Sequence, residues 1–122
     1  MKKIINISAL LLLFVLSSCY YDNMEELYPD AGSCDTTNVT FSAAIWPILQ
    51  TNCTDCHSGS APAGSIAIEN YNDVVTLVHN GSLMGTIRFE SGYSPMPKGG
   101  NKLSDCSISK LETWIANGMP NN

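Results

Sequence analysis

The apolar residues of the chain fall into one leading block and a few helical stripes, separated by long polar stretches. Ile4–Leu16 is apolar except for Asn6 and Ser8, a run of 13 residues behind the basic start Met1-Lys2-Lys3. That is the length of a secretory h-region and too short to span a bilayer as a helix. Residues 20–38, YYDNMEELYPDAGSCDTTN, are polar and aperiodic, as a tether would be. From residue 40 the pattern changes. In TFSAAIWPILQTN, Phe41, Ile45, Ile48 and Leu49 share one helical face, and Thr40 or Ser42 can cap it. Pro47 lies inside this stretch and predicts a helix that starts late, unless the proline falls in its first turn. Residues 58–68, SGSAPAGSIAI, read as a loop ending in a short extended piece. A second stripe, Val74, Val75, Leu77 and Val78, follows the candidate caps Asn70 and Asn72 and stops at Gly81. Residues 82–89 predict another short helix, weakened by Gly85, and residues 90–102 an irregular loop around Met96. The last helix is the clearest: Ser104 caps it, Asp105 opens it, and Ile108, Leu111 and Ile115 form its stripe. Trp114 borders that stripe, and Gly118 and Pro120 end it. The pattern predicts an all-α domain with long loops.

The leading block closes on Leu16-Ser17-Ser18-Cys19, which resembles the lipobox of bacterial lipoproteins, where the cysteine becomes the first mature residue and is lipidated. The alternative is an ordinary signal peptide cut nearby. Lipid on Cys19 would hold the protein on a membrane without a spanning helix, and several acyl chains make such anchoring stable. The chain then divides into a signal peptide (1–18), a membrane tether (19–38) and one domain (39–122). The expected location is the bacterial cell envelope, facing periplasm or cell surface. Loss of Lys2 and Lys3 leaves 4 Lys+Arg against 11 Asp+Glu, which moves the net charge from −5 to −7. An acidic surface excludes nucleic acid as a partner, because phosphates demand a basic face.

So small a domain calls for a staple. Of the five cysteines, Cys19 is assigned to lipid, and Cys53 and Cys56 share one motif. Cys34 and Cys106 remain; an oxidising compartment permits a disulfide between them, with two free thiols as the alternative.

The motif is TNCTDCHSG, in which Cys53, Cys56 and His57 are spaced C-x-x-C-H. Three chemistries share two thiols at that spacing. A thioredoxin-like pair needs a strand before it and a βαβ surrounding, whereas here the preceding residues have helical period. Zinc needs about four N or S ligands, and besides the motif only His79 is left to serve. Covalent haem needs what is present. Each thiol adds to one vinyl group, the helical turn puts both sulfurs on one edge of the porphyrin, and the adjacent His sits beneath the iron. A distal ligand must then come from a loop on the opposite face. Met96 stands between Pro95 and Pro97, which stiffen it and reduce the entropy lost in holding it there. The competitors are Met84, which suits a helix core, His79 at a helix end, and Met119 beyond the last helix.

CTDCH, SPMPKGG downstream and LSDCSISKLETWI near the end together resemble a monohaem cytochrome c domain of class I over about residues 38–119, carried on a lipoprotein. The resemblance implies a fold in which the N- and C-terminal helices cross around one covalently bound haem c. It implies Cys53 and Cys56 as thioether links, His57 as proximal ligand and Met96 as distal ligand. Trp114 and Ile115 are then expected near the helix crossing or the haem, and the Pro62 carbonyl as acceptor for the second ring nitrogen of His57. Tyr93 is a candidate to hydrogen-bond a haem propionate or the Met96 loop, or else is an ordinary surface tyrosine. The implied activity is one-electron transfer without catalysis, with redox protein partners docking over small interfaces. The alternatives are a haem sensor or enzyme with a labile distal ligand, and a fixed relay module of a larger redox complex.

Overall fold

A computed structural model describes residues 34–122. The expected signal peptide, the expected tether up to residue 33 and the expected lipid site Cys19 lie outside the described residues. Among the described residues every regular element is helical, so the fold class is all-α. No helix among them is long and apolar enough to cross a membrane.

The first helical stretch follows its stripe but not its predicted winding. Thr40 has extended backbone and its hydroxyl accepts the Ala43 N–H at 3.2 Å, as an N-cap does. Phe41–Ile45 is then a π-helical turn, with the Trp46 N–H bonded to the Phe41 carbonyl, and it runs directly into α1, Trp46–Asn52. Pro47 accounts for the change. Its ring crowds the carbonyl four residues back and it has no N–H to offer, so the turn before it is wound wider. The regular α-helix therefore begins only at Trp46 with Pro47 in its first turn, as the proline predicts, and the wider turn Phe41–Ile45, capped by Thr40, precedes it.

After α1, Cys53 breaks the helical torsions (φ −127°, ψ −41°), and α2, Thr54–His57, resumes for one turn. The following loop contains a 3₁₀ turn, Ala63–Ser65, then extended backbone at Ile66. It is pulled back to the motif by the Ile68 N–H, which donates to the His57 carbonyl at 2.6 Å. Asn70 and Asp73 form a reciprocal capping box at the start of α3, Tyr71–His79. Gly81 turns the chain in the left-handed region (φ +77°) into α4, Ser82–Arg88. A long loop leads to Ser104, whose hydroxyl accepts the Ser107 N–H at 3.1 Å and caps α5, Asp105–Ala116.

The core gathers around α5. Its buried residues are Ile108, Leu111 and Trp114, while Ile115 is only half-buried. The buried stripe is thus rotated toward Trp114, which is fully buried rather than at the border. The cause is an aromatic box. Trp114 lies 5.6 Å from Phe41 and 6.2 Å from Tyr71, and Phe41 meets Tyr71 edge-on at 5.1 Å. The polar atoms of the box are satisfied, with Trp114 Nε1 donating to the Pro120 carbonyl at 3.0 Å and the Tyr71 hydroxyl to that of Met119 at 2.6 Å. Asn122 reaches the start of the first helix, where its carbonyl and side-chain oxygens accept the Ser42 and Phe41 N–H groups at 2.8 and 3.0 Å. Phe41 and Trp114 thereby join the first and last helical segments. Cys34 and Cys106 stand at bonding distance, Cα atoms 5.3 Å apart, which ties the start of the described chain to the first turn of α5.

Candidate functional site

Two adjoining cavities of about 220 and 70 Å³ open between α1–α2 on one side and α4 with its following loop on the other. Cys53, His57, Ile87 and Met96 line both, and so form the partition between them. Cys56 lines the larger one, where Ala63, Pro97 and Leu103 supply apolar wall. Ile87 and Leu103 are also buried core residues, so the cavities are an extension of the core rather than a surface dent. Lys98 is the one other charged residue type at the larger cavity, beside the titratable His57.

Each predicted ligand reaches this place for a local reason. The kink at Cys53 and the single turn of α2 put both thiols and the imidazole within one helical revolution. Cys53 and Cys56 are not bridged, and Cys53 is half-buried while Cys56 is exposed. Burial pushes the Cys53 thiol up to about 11. A redox dithiol uses the opposite shift, so this environment does not suit the thioredoxin-like chemistry. Among the described residues, no three His, Cys, Asp or Glu side chains gather as a metal-binding group.

His57 Nδ1 lies 3.0 Å from the Ile66 carbonyl oxygen. A carbonyl only accepts, so Nδ1 is the donor, and in a neutral ring the lone pair is then on Nε2. The expected acceptor, Pro62, is engaged elsewhere: its carbonyl accepts the Ser65 N–H at 3.0 Å inside the 3₁₀ turn. The extended backbone after that turn, held by the Ile68–His57 bond, brings Ile66 to the ring instead.

Met96 reaches the same cavities from the loop after α4. Its N–H donates to the Thr86 carbonyl at 3.1 Å, which fastens the loop to α4. The Met96–Pro97 peptide is cis. The three competitors are elsewhere. Met84 and Met119 pack against the core, His79 is exposed at the end of α3, and none of them lines the two cavities. Trp114 is at the contact of first and last helical segments, not at the cavities. Tyr93 makes no side-chain hydrogen bond to the Met96 loop; its ring lies over Gly85 of α4 and its hydroxyl over Gly81 at the helix start.

The wall residues Ile87 and Leu103 were visible in the sequence only as apolar positions, and the Ile66 carbonyl had no sequence signal at all. Together the cavities come close to roughly 300 Å³, the lower end of the range for sites that take cofactor-sized ligands. The residues present fit a haem in their chemistry: two thiols a turn apart, an imidazole with Nε2 free, a thioether sulfur facing from a loop, and apolar walls. Comparison with protein-family models, with curated proteins and with solved structures finds no match to this chain.

Proposed function

We propose that the chain is a one-electron carrier of the class I cytochrome c type, exported and held at a membrane of the cell envelope by lipid on Cys19. One haem c would be bound covalently by Cys53 and Cys56, with His57 and Met96 as axial ligands. The observation that carries this is the convergence of those four side chains on one apolar cavity system, with His57 held by Ile66 so that Nε2 is the free nitrogen. When bound, the haem supplies a ferric–ferrous couple whose potential a methionine ligand raises.

The protein residues do the rest. Ile66 fixes the imidazole plane and its tautomer, so the ligand nitrogen needs no reorientation between oxidation states. Thr86 holds Met96 in place through the backbone. Ile87 and Leu103 keep water from one side of the cavity, which lowers the local dielectric and favours the less charged, reduced state. Because His57 and Met96 would both hold the group, no position on it would be left for a substrate, which is why transfer of an electron is favoured over catalysis or gas sensing. Redox protein partners would meet the cavity mouth over a small interface.

The test is the visible spectrum of the purified, membrane-extracted protein before and after denaturation and acid–acetone extraction. Thioether-linked haem stays with the polypeptide and titrates reversibly with reductant. A colourless protein, or colour that passes into the solvent, refutes the proposal.

A further inference from the structure

Met96 is one residue of the loop that follows α4. It begins at Phe89, a bulky residue in the left-handed region (φ +61°, ψ +39°), where glycine is the usual occupant. The turn is held by the Phe89 N–H on the Thr86 carbonyl at 3.3 Å and the Glu90 N–H on that of Gly85 at 3.0 Å. The chain doubles back over the outside of α4, and Tyr93 lies flat against Gly85. Gly85 is buried beneath it. A Cβ at Gly85 would run into the Tyr93 ring, and one at Gly81 would come within 3.0 Å of the Tyr93 hydroxyl. Three residues further on, Met96 bonds to Thr86, the neighbour of Gly85. Next in α4 comes Ile87, which lines the cavity beside Met96.

We infer that Tyr93 is a positioning residue for Met96: its ring, keyed into the glycine notch of α4, sets the register in which the loop offers the methionine sulfur to the cavity. Two observations converge on this. The notch exists only because position 85 lacks a side chain, so ring and glycine form a matched pair. The reversal at Phe89, in a conformation that is costly for a non-glycine residue, starts the turn that carries the Tyr93 ring back onto Gly85. The Tyr93 ring is 38 % exposed, so its seat on α4 accounts for the burial it has. This inference rests on the proposed role of Met96 as distal ligand, but its first readout does not.

The experiment uses the intact holoprotein with Tyr93→Ala, Tyr93→Phe and Gly85→Ala. The first readout is amide hydrogen exchange at Met96, whose N–H is protected by the Thr86 carbonyl. Exchange should accelerate about tenfold in Tyr93→Ala and in Gly85→Ala, the scale set by losing one partly exposed aromatic contact, and stay at the wild-type rate in Tyr93→Phe. The second readout is imidazole titration followed by absorbance, where the same two variants should bind the competing ligand about tenfold more tightly, and Tyr93→Phe should not. Unchanged Met96 exchange in a folded Tyr93→Ala protein overturns the inference, as does acceleration in Tyr93→Phe. Faster exchange without any change in imidazole affinity upholds the positioning of the loop and instead counts against Met96 as the distal ligand. Should Tyr93→Ala fail to fold, Gly85→Ala, which displaces the ring without removing it, decides on the same two readouts.

Discussion

Replacing both Cys34 and Cys106 by serine should remove a large share of this domain's stability. The two residues are 72 positions apart, so the bridge closes most of the described chain into one loop. In the chain-entropy treatment, a loop of that length lowers the entropy of the unfolded chain by roughly 15 cal/mol/K, or ~4 kcal/mol at 25 °C. For a domain of this size each kcal/mol moves the melting midpoint by about 4–8 °C, so a fall of at least ~15 °C is expected. The double substitution is the right perturbation, because a single one leaves a thiol able to exchange with Cys53 or Cys56 during synthesis. Guanidinium unfolding, followed by far-ultraviolet circular dichroism, measures the loss. The slope m should rise at the same time, because an uncrosslinked denatured chain exposes more surface. Cys34 is exposed, so mild reductant on the wild-type protein should reproduce the variant's curve. Alkylation of the unreduced protein should label neither position. A loss below about 1 kcal/mol, with m unchanged, would refute the reasoning.

Three further outcomes are expected. Met96→Ala should shift the ferric spectrum away from sulfur ligation and open the iron to added imidazole or cyanide; an unaltered spectrum removes Met96 from the site. Trp114→Phe keeps most of the aromatic contact with Phe41 but loses the bond to the Pro120 carbonyl, so thermal unfolding should show a cost of ~1–2 kcal/mol with the spectrum unchanged. Cys19→Ala should move the protein from the membrane pellet to the soluble fraction, and continued sedimentation with membranes counts against the lipid anchor.

What could be read from the sequence was what local chemistry decides. Asn70 and Ser104 are caps because their side chains accept N–H groups two or three residues ahead, and both positions were legible as such. The C-x-x-C-H spacing is likewise local, since one helical turn suffices to bring its members together. What escaped depended on partners distant in sequence. Trp114 and Ile115 sit on adjacent edges of the same stripe, and periodicity alone does not choose between them. The choice is made by Phe41 and Tyr71, which form an aromatic box that only Trp114 can complete. The partner of His57 was expected at Pro62 from position in the loop. It is Ile66, because a turn and one backbone bond fold that loop back. Gly85 looked like a weak point of a short helix, and it is instead the seat of a tyrosine eight residues later.

The same geometry bears on why a covalent tether suits this site. The cavities extend the core through Ile87 and Leu103, yet they are small, and the side chains of His57 and Met96 that line them are only half-buried. A prosthetic group held here by apolar contact and two axial bonds would be enclosed on part of its surface, and a domain with so few buried side chains has little stability to spare for reorganising around it. Two thioether bonds change the terms. They would make dissociation impossible without breaking covalent bonds, so that His57 and Met96 would bind the group intramolecularly at a high effective concentration. Each axial bond can then be individually weak without loss of the group. Under the proposed function an open mouth, which an electron partner would need for access, would be compatible with retention because Cys53 and Cys56, which line the larger cavity, would tether the group.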